Sequence, residues 1–363
     1  MDEIKSTYSP SQFEPSSLLG WSLLRKKVFS HLMFWIASAS LISRAFYRFS
    51  IVVMNKEVET MTKYGQLLNQ LCTLCLGLTI MHFEFNRPLY IKYLDCYQTI
   101  VNNNFGKASL KFVNKWGKIV RVWVIFAFLY ELITIATFEY LYIFKKTGFT
   151  ANMFLLVSFF SFTQLLYILT IQFIIECCIY TQSTFIPINT LLDTLLHQNQ
   201  QSTQLDINRM AKLTRVHYTK IIKSIRYIDK FLTYAILVFY LYFIGHCIFV
   251  FNEFFQVSGS IYWRLYNVFR FFGESSYLVL TTYHLVRVHQ LSVQMFAKVY
   301  DLSYSLASDS FEAVNEINLF LFRIDRNDVG FTFAGLCLVS PSFVSSLASI
   351  ALTLGLALPN FID

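Results

Sequence analysis

The stretch KLTRVHYTKIIKSIRYIDKFLTYAI, Lys212 to Ile236, carries the pattern that decides the fold. Apolar residues recur along it at helical spacing between basic residues. These apolar residues are Leu213, Val216, Ile221, Ile225, Ile228 and Leu232. The basic residues end at Lys230, and the chain after them is almost uncharged to residue 254. We therefore predict one helix that begins in water and continues unbroken into a membrane.

The composition of the whole chain is that of a polytopic membrane protein. Of its 363 residues, 55% are hydrophobic and only 14% are charged, whereas a soluble domain needs more polar residues to cover its core. Long apolar runs give seven candidate spans, each about the length that crosses a bilayer. They lie at 28–50, 64–85, 119–143, 152–180, 231–254, 261–286 and 332–358. The predicted fold class is all-α, with seven transmembrane helices.

The distribution of Lys and Arg predicts the orientation of these helices. With the N-terminus in the cytoplasm, the cytoplasmic segments hold 21 of the 30 Lys and Arg residues and the outer loops hold four. Because basic residues accumulate in cytoplasmic loops, the N-terminus is predicted inside and the C-terminus outside. The net charge of +8 then reflects loops beside anionic lipid. It gives no indication of nucleic-acid binding.

Most of the predicted soluble mass is cytoplasmic, since the outer loops are short. The predicted organisation is a cytoplasmic N-terminal segment at 1–27, spans one to six at 28–286, a cytoplasmic segment at 287–331, span seven at 332–358 and an extracellular C-terminus at 359–363. Cytoplasmic helical segments are predicted at 86–118 and 181–230. Spans four to seven are expected to extend as helices into the cytoplasm, where subunits can meet. Pro341 is expected to kink span seven.

Catalytic motifs are missing from the sequence. It has no phosphate-binding loop, dinucleotide fingerprint, zinc-protease motif or serine-nucleophile elbow. Cys72-x-x-Cys75 lies on an apolar helix without a second Cys or His pair at zinc spacing, so packing is the preferred interpretation. We therefore expect no enzyme, no cofactor and no metal site. A membrane enzyme is the least favoured alternative.

Ionisable and aromatic residues inside the spans are the candidate functional residues. Arg270 and Glu274 are four residues apart on span six and form a predicted intramembrane ion pair, with a role in gating or in a polar pocket as the alternative. A ligand pocket is predicted in the outer halves of the spans, because aromatic faces bind organic molecules by stacking and by contact with cations. Its predicted residues are Tyr130, Glu131, Phe160, Gln164, Trp263 and Tyr266. The alternative for each is helix packing or an interfacial aromatic belt.

The C-terminal stretch FAGLCLVSPSFVSSLASIALTLGLALPNF, from residue 333 to 361, resembles the end of insect gustatory receptors. The last span of that family has an early Gly and ends in a Thr-Tyr-x-x-x-x-x-Gln-Phe signature. The positions that match this motif are Gly335, Thr353, Asn360 and Phe361, with Asn360 in the place of the Gln. Leu354 replaces the Tyr of the signature, and Pro359 is a further departure.

The resemblance implies a gustatory receptor subunit that acts as a ligand-gated, non-selective cation channel for small-molecule tastants. It also implies a homo- or hetero-tetramer with related receptor subunits, in contact with membrane lipid, in the plasma membrane of sensory neurons. Tastants would bind in the outer half of spans two to six, and the last half of span seven would line the pore. The implied pore-lining residues are Leu354, Leu358, Asn360 and Phe361. Because the signature Tyr is lost, a non-channel or accessory protein of the same fold remains an alternative, as does a transporter.

Overall fold

The computed structural model of the protein describes residues 15–25, 28–54, 60–101, 106–139, 151–198, 204–255, 261–305 and 311–357. These ranges contain ten helices and one two-stranded hairpin, so the all-α prediction is confirmed. The helices are α1 (Leu18–Leu24), α2 (Val28–Met54), α3 (Thr60–Phe85), α4 (Arg87–Val101), α5 (Gly106–Glu139), α6 (Ala151–Gln198), α7 (Gln204–Phe255), α8 (Ile261–Ser305), α9 (Phe311–Asp325) and α10 (Pro341–Ala357). The strands are β1 (Thr332–Phe333) and β2 (Cys337–Leu338).

Three helices are much longer than a bilayer requires. α6 has 48 residues, α7 has 52 and α8 has 45, whereas about 20 residues cross the hydrocarbon core. α7 runs without a break through the stretch that begins at Lys212, so the predicted single helix is confirmed. The excess length lies at the ends nearer residues 199–203 and 306–310, on the side that the charge count predicts to be cytoplasmic.

Four helical segments in the described part of the chain are long and apolar enough to cross a membrane. They are Val28–Met54, Lys107–Ala136, Val157–Leu196 and Arg209–Gly245, and they overlap predicted spans one, three, four and five. Predicted spans two and six fall within α3 and α8. Pro341–Leu354 is an apolar but shorter helix. The orientation of the spans stays a prediction.

α6 lies at the centre of the bundle. It packs against α1, α2, α4, α5, α7 and α8, and every residue from 170 to 185 is buried. A helix that is buried on all sides has no need of a polar face, which explains why its apolar residues show little periodicity. Four aromatic rings pack together where α6 meets α3, α4 and α7. Phe83 of α3 stacks on Phe231 of α7 with ring centroids 4.9 Å apart. Beside them, the ring centroids of Phe173 of α6 and Tyr90 of α4 are 5.3 Å apart.

Two buried charged residues hold α1 against the bundle. The carboxylate of Glu176 on α6 accepts hydrogen bonds from the backbone N–H of Ser17 at 3.0 Å and from the hydroxyl of Ser16 at 2.8 Å. At the other end of α1, the guanidinium of Arg87 donates to the carbonyl of Ser22 at 2.8 Å. A charged side chain of the bundle therefore forms hydrogen bonds with the backbone at each end of this short helix.

The C-terminal segment, residues 327–357, differs most from the predicted spans. Span seven was placed at 332–358, but β1 and β2 form an antiparallel hairpin first, and α10 begins only at residue 341. Residues 334 and 335 turn the hairpin with φ of 55° and 71°. α9 is consequently a separate helix, and the expected continuous helical extension of span seven is replaced by this hairpin.

The predicted kink at Pro341 is wrong, because this proline is the first residue of α10. The hydroxyl oxygen of Ser340 accepts a hydrogen bond from the N–H of Phe343 at 3.3 Å, which is the geometry of a helix N-cap. Proline is well suited to the first helical position, where its missing N–H would have no partner. The proline therefore starts the helix instead of bending it.

Candidate functional site

Two buried carboxylates and three tyrosines form a group that we call the acidic aromatic cluster. Its members are Glu131 on α5, Tyr167 on α6, Tyr242 on α7, and Glu274 and Tyr277 on α8. Glu131 is 8% exposed and Glu274 is 3% exposed. The hydroxyl of Tyr277 donates to Glu131 Oε1 at 3.1 Å, and that of Tyr242 donates to Glu274 Oε1 at 3.0 Å. Each carboxylate thus accepts a hydrogen bond from a tyrosine of another helix.

Aromatic contacts join the two halves of the cluster. The ring centroid of Tyr167 lies 5.2 Å from that of Tyr242 and 6.1 Å from that of Tyr277. Trp123 on α5 meets Tyr277 edge to face at 5.3 Å. Tyr167 is 9% exposed, and its hydroxyl has no hydrogen-bond partner among the described residues. The cluster therefore combines two buried carboxyl groups, aromatic faces and the hydroxyl of Tyr167, which has no hydrogen-bond partner among the described residues.

The cluster lies inside the bundle, towards the side that the charge count predicts to be extracellular. Glu131 is eight residues from the end of α5 at Glu139, and Tyr167 is sixteen residues from the start of α6 at Ala151. At 1.5 Å per residue, these separations are about 12 and 24 Å along the helices. Glu131 and Glu274 lie within predicted spans three and six, and charged residues inside a membrane span are usually functional.

Tyr130, a predicted pocket residue, lies beside the cluster and closes the gap between α5 and α8. Its hydroxyl donates to the carbonyl of Phe269. Its ring covers Gly273, where an added Cβ atom would lie only 2.4 Å from Cε1 of the tyrosine. α5 and α8 therefore approach this closely only because residue 273 has no side chain.

The other predicted pocket residues do not all join the cluster. Phe160 is buried on α6 under two cations of α2, with the guanidinium carbons of Arg44 and Arg48 lying 5.1 and 4.2 Å from its ring centroid. Gln164 is partly buried on α6, three residues before Tyr167. Phe160 thus belongs to a separate cation–π group about two helical turns further out along α6.

Three further candidate residues lie on α8, but their side chains are outside the described part of the structure. They are Trp263, Tyr266 and Arg270. The predicted ion pair between Arg270 and Glu274 therefore stays a prediction. Glu274 accepts a hydrogen bond from Tyr242 of α7.

The second candidate region is α10, which packs on α7 along one face. Phe343, Val344 and Leu347 pack against the hydrophobic core, whereas Leu352 and Leu354 of the predicted span are exposed. Leu354, a predicted pore residue, is 43% exposed in the single chain. An apolar helix with so much uncovered surface requires lipid or another protein chain around it.

All hydroxyl-bearing residues of α10 lie on one side of the helix. At about 100° per residue, they fall within a sector of roughly 100° that is opposite the face packed on α7. They are Ser342, Ser345, Ser346, Ser349 and Thr353. The hydroxyls of the last turns are bonded to carbonyls four residues earlier, as in Ser349 to Ser345 O at 2.9 Å and Thr353 to Ser349 O at 2.8 Å. We call this side of α10 the hydroxyl face.

α7 holds the C-terminal segment at two places. The carboxylate of Asp229 accepts hydrogen bonds from the backbone N–H of Thr332 at 2.6 Å and from its hydroxyl at 2.9 Å. Further along α7, the ring of Tyr240 meets Phe343 of α10 at 5.7 Å, and Phe343 lies 5.3 Å from Phe333 of β1. Tyr240 is only two residues before Tyr242 of the acidic aromatic cluster. One helix therefore contacts both candidate regions.

The residues matched to the C-terminal motif fall partly within the described structure. Gly335 lies in the hairpin turn with a positive φ, so it does not lie in the last span. Thr353 lies on the hydroxyl face of α10. Leu358, Asn360 and Phe361 are outside the described residues.

Sequence reasoning identified both carboxylates of the cluster but missed its tyrosines and the hydroxyl face. Tyr167, Tyr242 and Tyr277 are three of 22 tyrosines, and the sequence has no signal for which of them converge from different helices. The hydroxyl face did have a signal, because Ser345, Ser349 and Thr353 recur every four residues in an otherwise apolar helix.

The sequence matches no protein-family model and no curated protein. The structure is similar to that of the insect olfactory receptor OR5 from Machilis hrabei. For OR5 in complex with eugenol, the TM-score is 0.66 with 13% sequence identity, and the match covers 93% of this chain and 91% of the receptor. For OR5 alone, the TM-score is 0.64 with 12% identity, covering 92% and 90%. The chain therefore has the fold of these insect olfactory receptor structures, which agrees with the all-helical receptor fold that the C-terminal resemblance predicted.

Proposed function

We propose that the chain is a subunit of a chemosensory, ligand-gated, non-selective cation channel that detects small-molecule tastants. The observation that carries the proposal is the agreement in fold with an insect olfactory receptor over nine-tenths of both chains. One structure of that receptor contains eugenol, a small organic molecule. On this proposal the protein acts in the plasma membrane of sensory neurons.

The uncovered surface of α10 supports an assembly of several subunits. α10 is attached to its own chain by the side that faces α7, and its remaining surface is apolar or carries hydroxyls. A single helix cannot enclose a pore, whereas the same helix repeated around a symmetry axis can. We propose a tetramer of this chain, or of this chain with related subunits, in which α10 of each subunit faces the axis.

The hydroxyl face is the proposed lining of the inner part of the pore. Hydroxyl oxygens replace part of the water shell of a passing cation without the strong binding that a ring of carboxylates would produce. Ser349 and Thr353 point away from α7 and would face the axis in such a tetramer. Leu358, Asn360 and Phe361 would form the outer end of the pore, with Asn360 supplying the amide. Leu354, proposed from the sequence as a pore residue, is on the α7 side of α10, about 130° around the helix from the hydroxyl face, and would lie outside this lining.

α7 is the proposed link between ligand and pore. Tyr242 on this helix belongs to the acidic aromatic cluster, and Tyr240 contacts Phe343 of α10. A ligand that changes the position of Tyr242 would move Tyr240, since both lie within one turn of a rigid helix. The ligand would thereby favour one of two positions of α10, which is what gating requires.

Whole-cell current recorded under a panel of organic tastants tests the proposal, with the chain expressed alone and with related subunits. We expect a ligand-evoked cation current, and we expect Asn360→Asp to increase its preference for divalent over monovalent cations. Asn360→Ala should change conductance without creating that preference. Silence across the panel, with surface expression and tetramer formation verified, would contradict the channel function and favour an accessory role.

Modification of introduced cysteines tests whether the hydroxyl face, and not another side of α10, lines the pore. In a background with the exposed Cys337 replaced by Ser, a charged thiol reagent should alter the current of Ser349→Cys while the ligand is present. Ala348→Cys is the matched control, because the neighbouring residue points about 100° away from Ser349. Equal modification of both variants would argue against a pore lined by this face.

A further inference from the structure

A row of lysines runs along the first turns of α5. Lys107, Lys111, Lys115 and Lys118 follow one another at intervals of four, four and three residues. At about 100° per residue, they fall within a sector of about 80° of the helix circumference. All four side chains are exposed. We call this surface the lysine stripe.

Negative charge is missing from the part of the sequence around the lysine stripe. The chain contains no Asp or Glu between Asp95 and Glu131. Among the described residues, no ion pair includes a lysine of the stripe, whereas Lys298 of α8 is paired with Asp193 at 2.7 Å. Like charges on one side of a helix repel each other. The stripe therefore favours a negatively charged partner from outside the chain.

The same face of α5 continues as an apolar surface. Val122, Ile125, Phe126 and Leu129 lie within about 100° of the helix circumference, on the side of the stripe, and are 50–68% exposed. The opposite face, which includes Val120, is buried. The exposed face thus changes from lysine to apolar side chains between residues 118 and 122. This change is expected where a helix passes from the headgroup layer into the hydrocarbon of a membrane.

An aromatic pair lies at the same level as the end of the stripe. The ring centroids of Trp116 of α5 and Tyr283 of α8 are 6.3 Å apart, and Tyr283 is half exposed. Trp and Tyr are enriched at the boundary between hydrocarbon and water. The charge count places residues 86–118 on the cytoplasmic side, where the leaflet contains anionic lipids. The lysines therefore lie next to the surface that supplies negative charge.

The length of the stripe distinguishes between anionic lipids. The headgroup layer of one leaflet is about 5–8 Å thick. At 1.5 Å per residue, Lys115 lies about 5 Å from Lys118 along the helix, but Lys111 and Lys107 lie about 10 and 16 Å from it. The single phosphate of an ordinary phospholipid stays within the headgroup layer. The head of a phosphoinositide carries further phosphates that project into the water, so it can reach lysines at both levels.

We propose that the lysine stripe binds the polyphosphorylated head of a phosphoinositide in the cytoplasmic leaflet. Lys115 and Lys118 would contact the phosphate that carries the diacylglycerol, and Lys107 and Lys111 would contact the phosphates of the inositol ring. The acyl chains would lie along the apolar continuation of the same face. The inference goes beyond the proposed function, because it names a lipid partner for a surface about 20 Å along α5 from Glu131.

Native mass spectrometry of the purified full-length protein, titrated with lipids of equal acyl chains, tests the proposal. The probes are phosphatidylinositol 4,5-bisphosphate, phosphatidylserine and phosphatidylcholine. We expect the bisphosphate to bind at least about ten-fold more tightly than phosphatidylserine, because it engages two further lysines. Phosphatidylcholine, which has no net charge, should bind more weakly still. Equal affinities for the bisphosphate and phosphatidylserine would overturn the polyphosphorylated head.

A double variant tests the part of the stripe that lies farthest from the hydrocarbon. Lys107→Gln combined with Lys111→Gln should weaken binding of the bisphosphate about ten-fold or more. The affinity for phosphatidylserine should stay the same, because a head with one phosphate does not reach these two residues. The unfolding temperature should also stay the same, since both side chains are exposed. Unchanged binding of the bisphosphate would overturn the proposal.

A second double variant is the matched control. Lys220→Gln combined with Lys223→Gln removes the same charge from exposed positions of α7. These two lysines lie around Cys96 of α4 together with Asp95, which offsets part of their charge. The control should bind the bisphosphate like the wild type. An equal loss of affinity in both double variants would show a response to total charge and would overturn the stripe as the site.

A soluble probe separates the lipid from its free head. Inositol 1,4,5-trisphosphate carries the same phosphates without acyl chains, and we expect it to bind at least about ten-fold more weakly, because the apolar part of the face is then unused. Equal affinity would overturn the lipid and assign the stripe to a soluble inositol phosphate. None of these measurements requires a current, so lipid binding by a chain that does not conduct would support this site and contradict the channel.

Discussion

The acidic aromatic cluster and the C-terminal segment are held in opposite ways. The cluster is formed by four helices whose side chains interlock through buried hydrogen bonds and ring contacts. The C-terminal segment is attached along one helix, by Asp229 at its hairpin and by Tyr240 at α10, and most of α10 is uncovered. A substitution in the cluster therefore disturbs a packed interior, whereas one in the segment disturbs an attachment.

This difference assigns different tasks to the two regions. A packed polar interior keeps its groups in fixed positions, which is what selective binding of a small molecule requires. A helix held by few contacts changes position at a small cost in free energy, which suits a gate. The comparison predicts that stability is concentrated in the cluster and that mobility is concentrated in the segment.

The largest expected effect is in the interior, at Gly273. Gly273→Ala places a methyl group 2.4 Å from the ring of Tyr130, which is held by its hydrogen bond to Phe269. We expect a loss of about 2–3 kcal/mol of unfolding free energy, because overpacking forces the ring out of place. Thermal unfolding of the purified protein would measure it. Gly117→Ala is the control, since an added Cβ there lies 3.8 Å from its nearest neighbour and should be neutral or stabilising. Equal unfolding temperatures for both variants would refute the close approach of α5 and α8.

A smaller effect is expected where the hairpin is attached, at Asp229. Asp229→Asn keeps the size of the side chain but weakens the charge-assisted hydrogen bonds to Thr332, at a cost of about 1.5–2 kcal/mol. Hydrogen exchange should become faster in residues 331–339 and stay unchanged in the core of α6. Thr332→Ser retains both donors and should exchange like the wild type. Faster exchange throughout the bundle would mean that the segment is part of the same cooperative unit as the interior.

Gly335, in the hairpin turn, is the glycine of the C-terminal segment that can be compared with Gly273 of the interior. An added Cβ at Gly335 meets nothing within 4 Å, but φ is 71°. Gly335→Ala should therefore cost about 1 kcal/mol through backbone strain alone. Leu336→Ala, in the exposed next residue, is the control and should lie within about 0.5 kcal/mol of the wild type. If Gly335→Ala were as damaging as Gly273→Ala, the segment would be packed as tightly as the cluster.

The sequence predicts features that depend on a single helix, but it does not predict contacts that depend on the packing of several helices. The length and continuity of α7 follow from apolar residues at helical spacing, because one helix determines that pattern. Glu131 and Glu274 stand out because a charge within an apolar span is costly. The tyrosines that bind them come from other helices, and convergence of separate helices depends on packing that no local pattern records.

The hairpin was missed for a different reason. Residues 332–358 form one apolar run, and apolar character alone does not distinguish a hairpin from the start of a helix. The turn signals were present in Gly330 and Gly335, and Ser340 followed by Pro341 is a helix-start sequence. The predicted kink follows from the long apolar run, whereas the local signals favour a helix that begins at Pro341.

The smallest expected effect tests whether surface charges add to the attachment of the segment. Asp328, just before the hairpin, lies 2.9 Å from Arg323 and 3.3 Å from Arg226 of α7. Partial burial raises the pKa of this carboxyl, but hydrogen bonds and charge from Arg323, and then from Arg226, outweigh burial and lower it below its ordinary value. A carboxyl with a lowered pKa in the folded state stabilises the protein above its unfolded pKa of about 3.9, and that stabilisation is lost as the pH falls through the folded pKa.

We therefore expect Asp328→Asn to reduce the stability by less than about 1 kcal/mol near neutral pH, since the group is partly exposed and solvent screens the pair. The difference from the wild type should shrink as the pH falls from about 5 towards the lowered pKa of the folded-state carboxyl, and should be lost below that pKa. Unfolding curves of both proteins over this range would measure it, and added salt should diminish the difference in the same direction. A difference that does not shrink as the pH falls below about 4 would mean that residue 328 stabilises the segment through its backbone turn, and that Asp229 is then the main charged attachment between α7 and the hairpin.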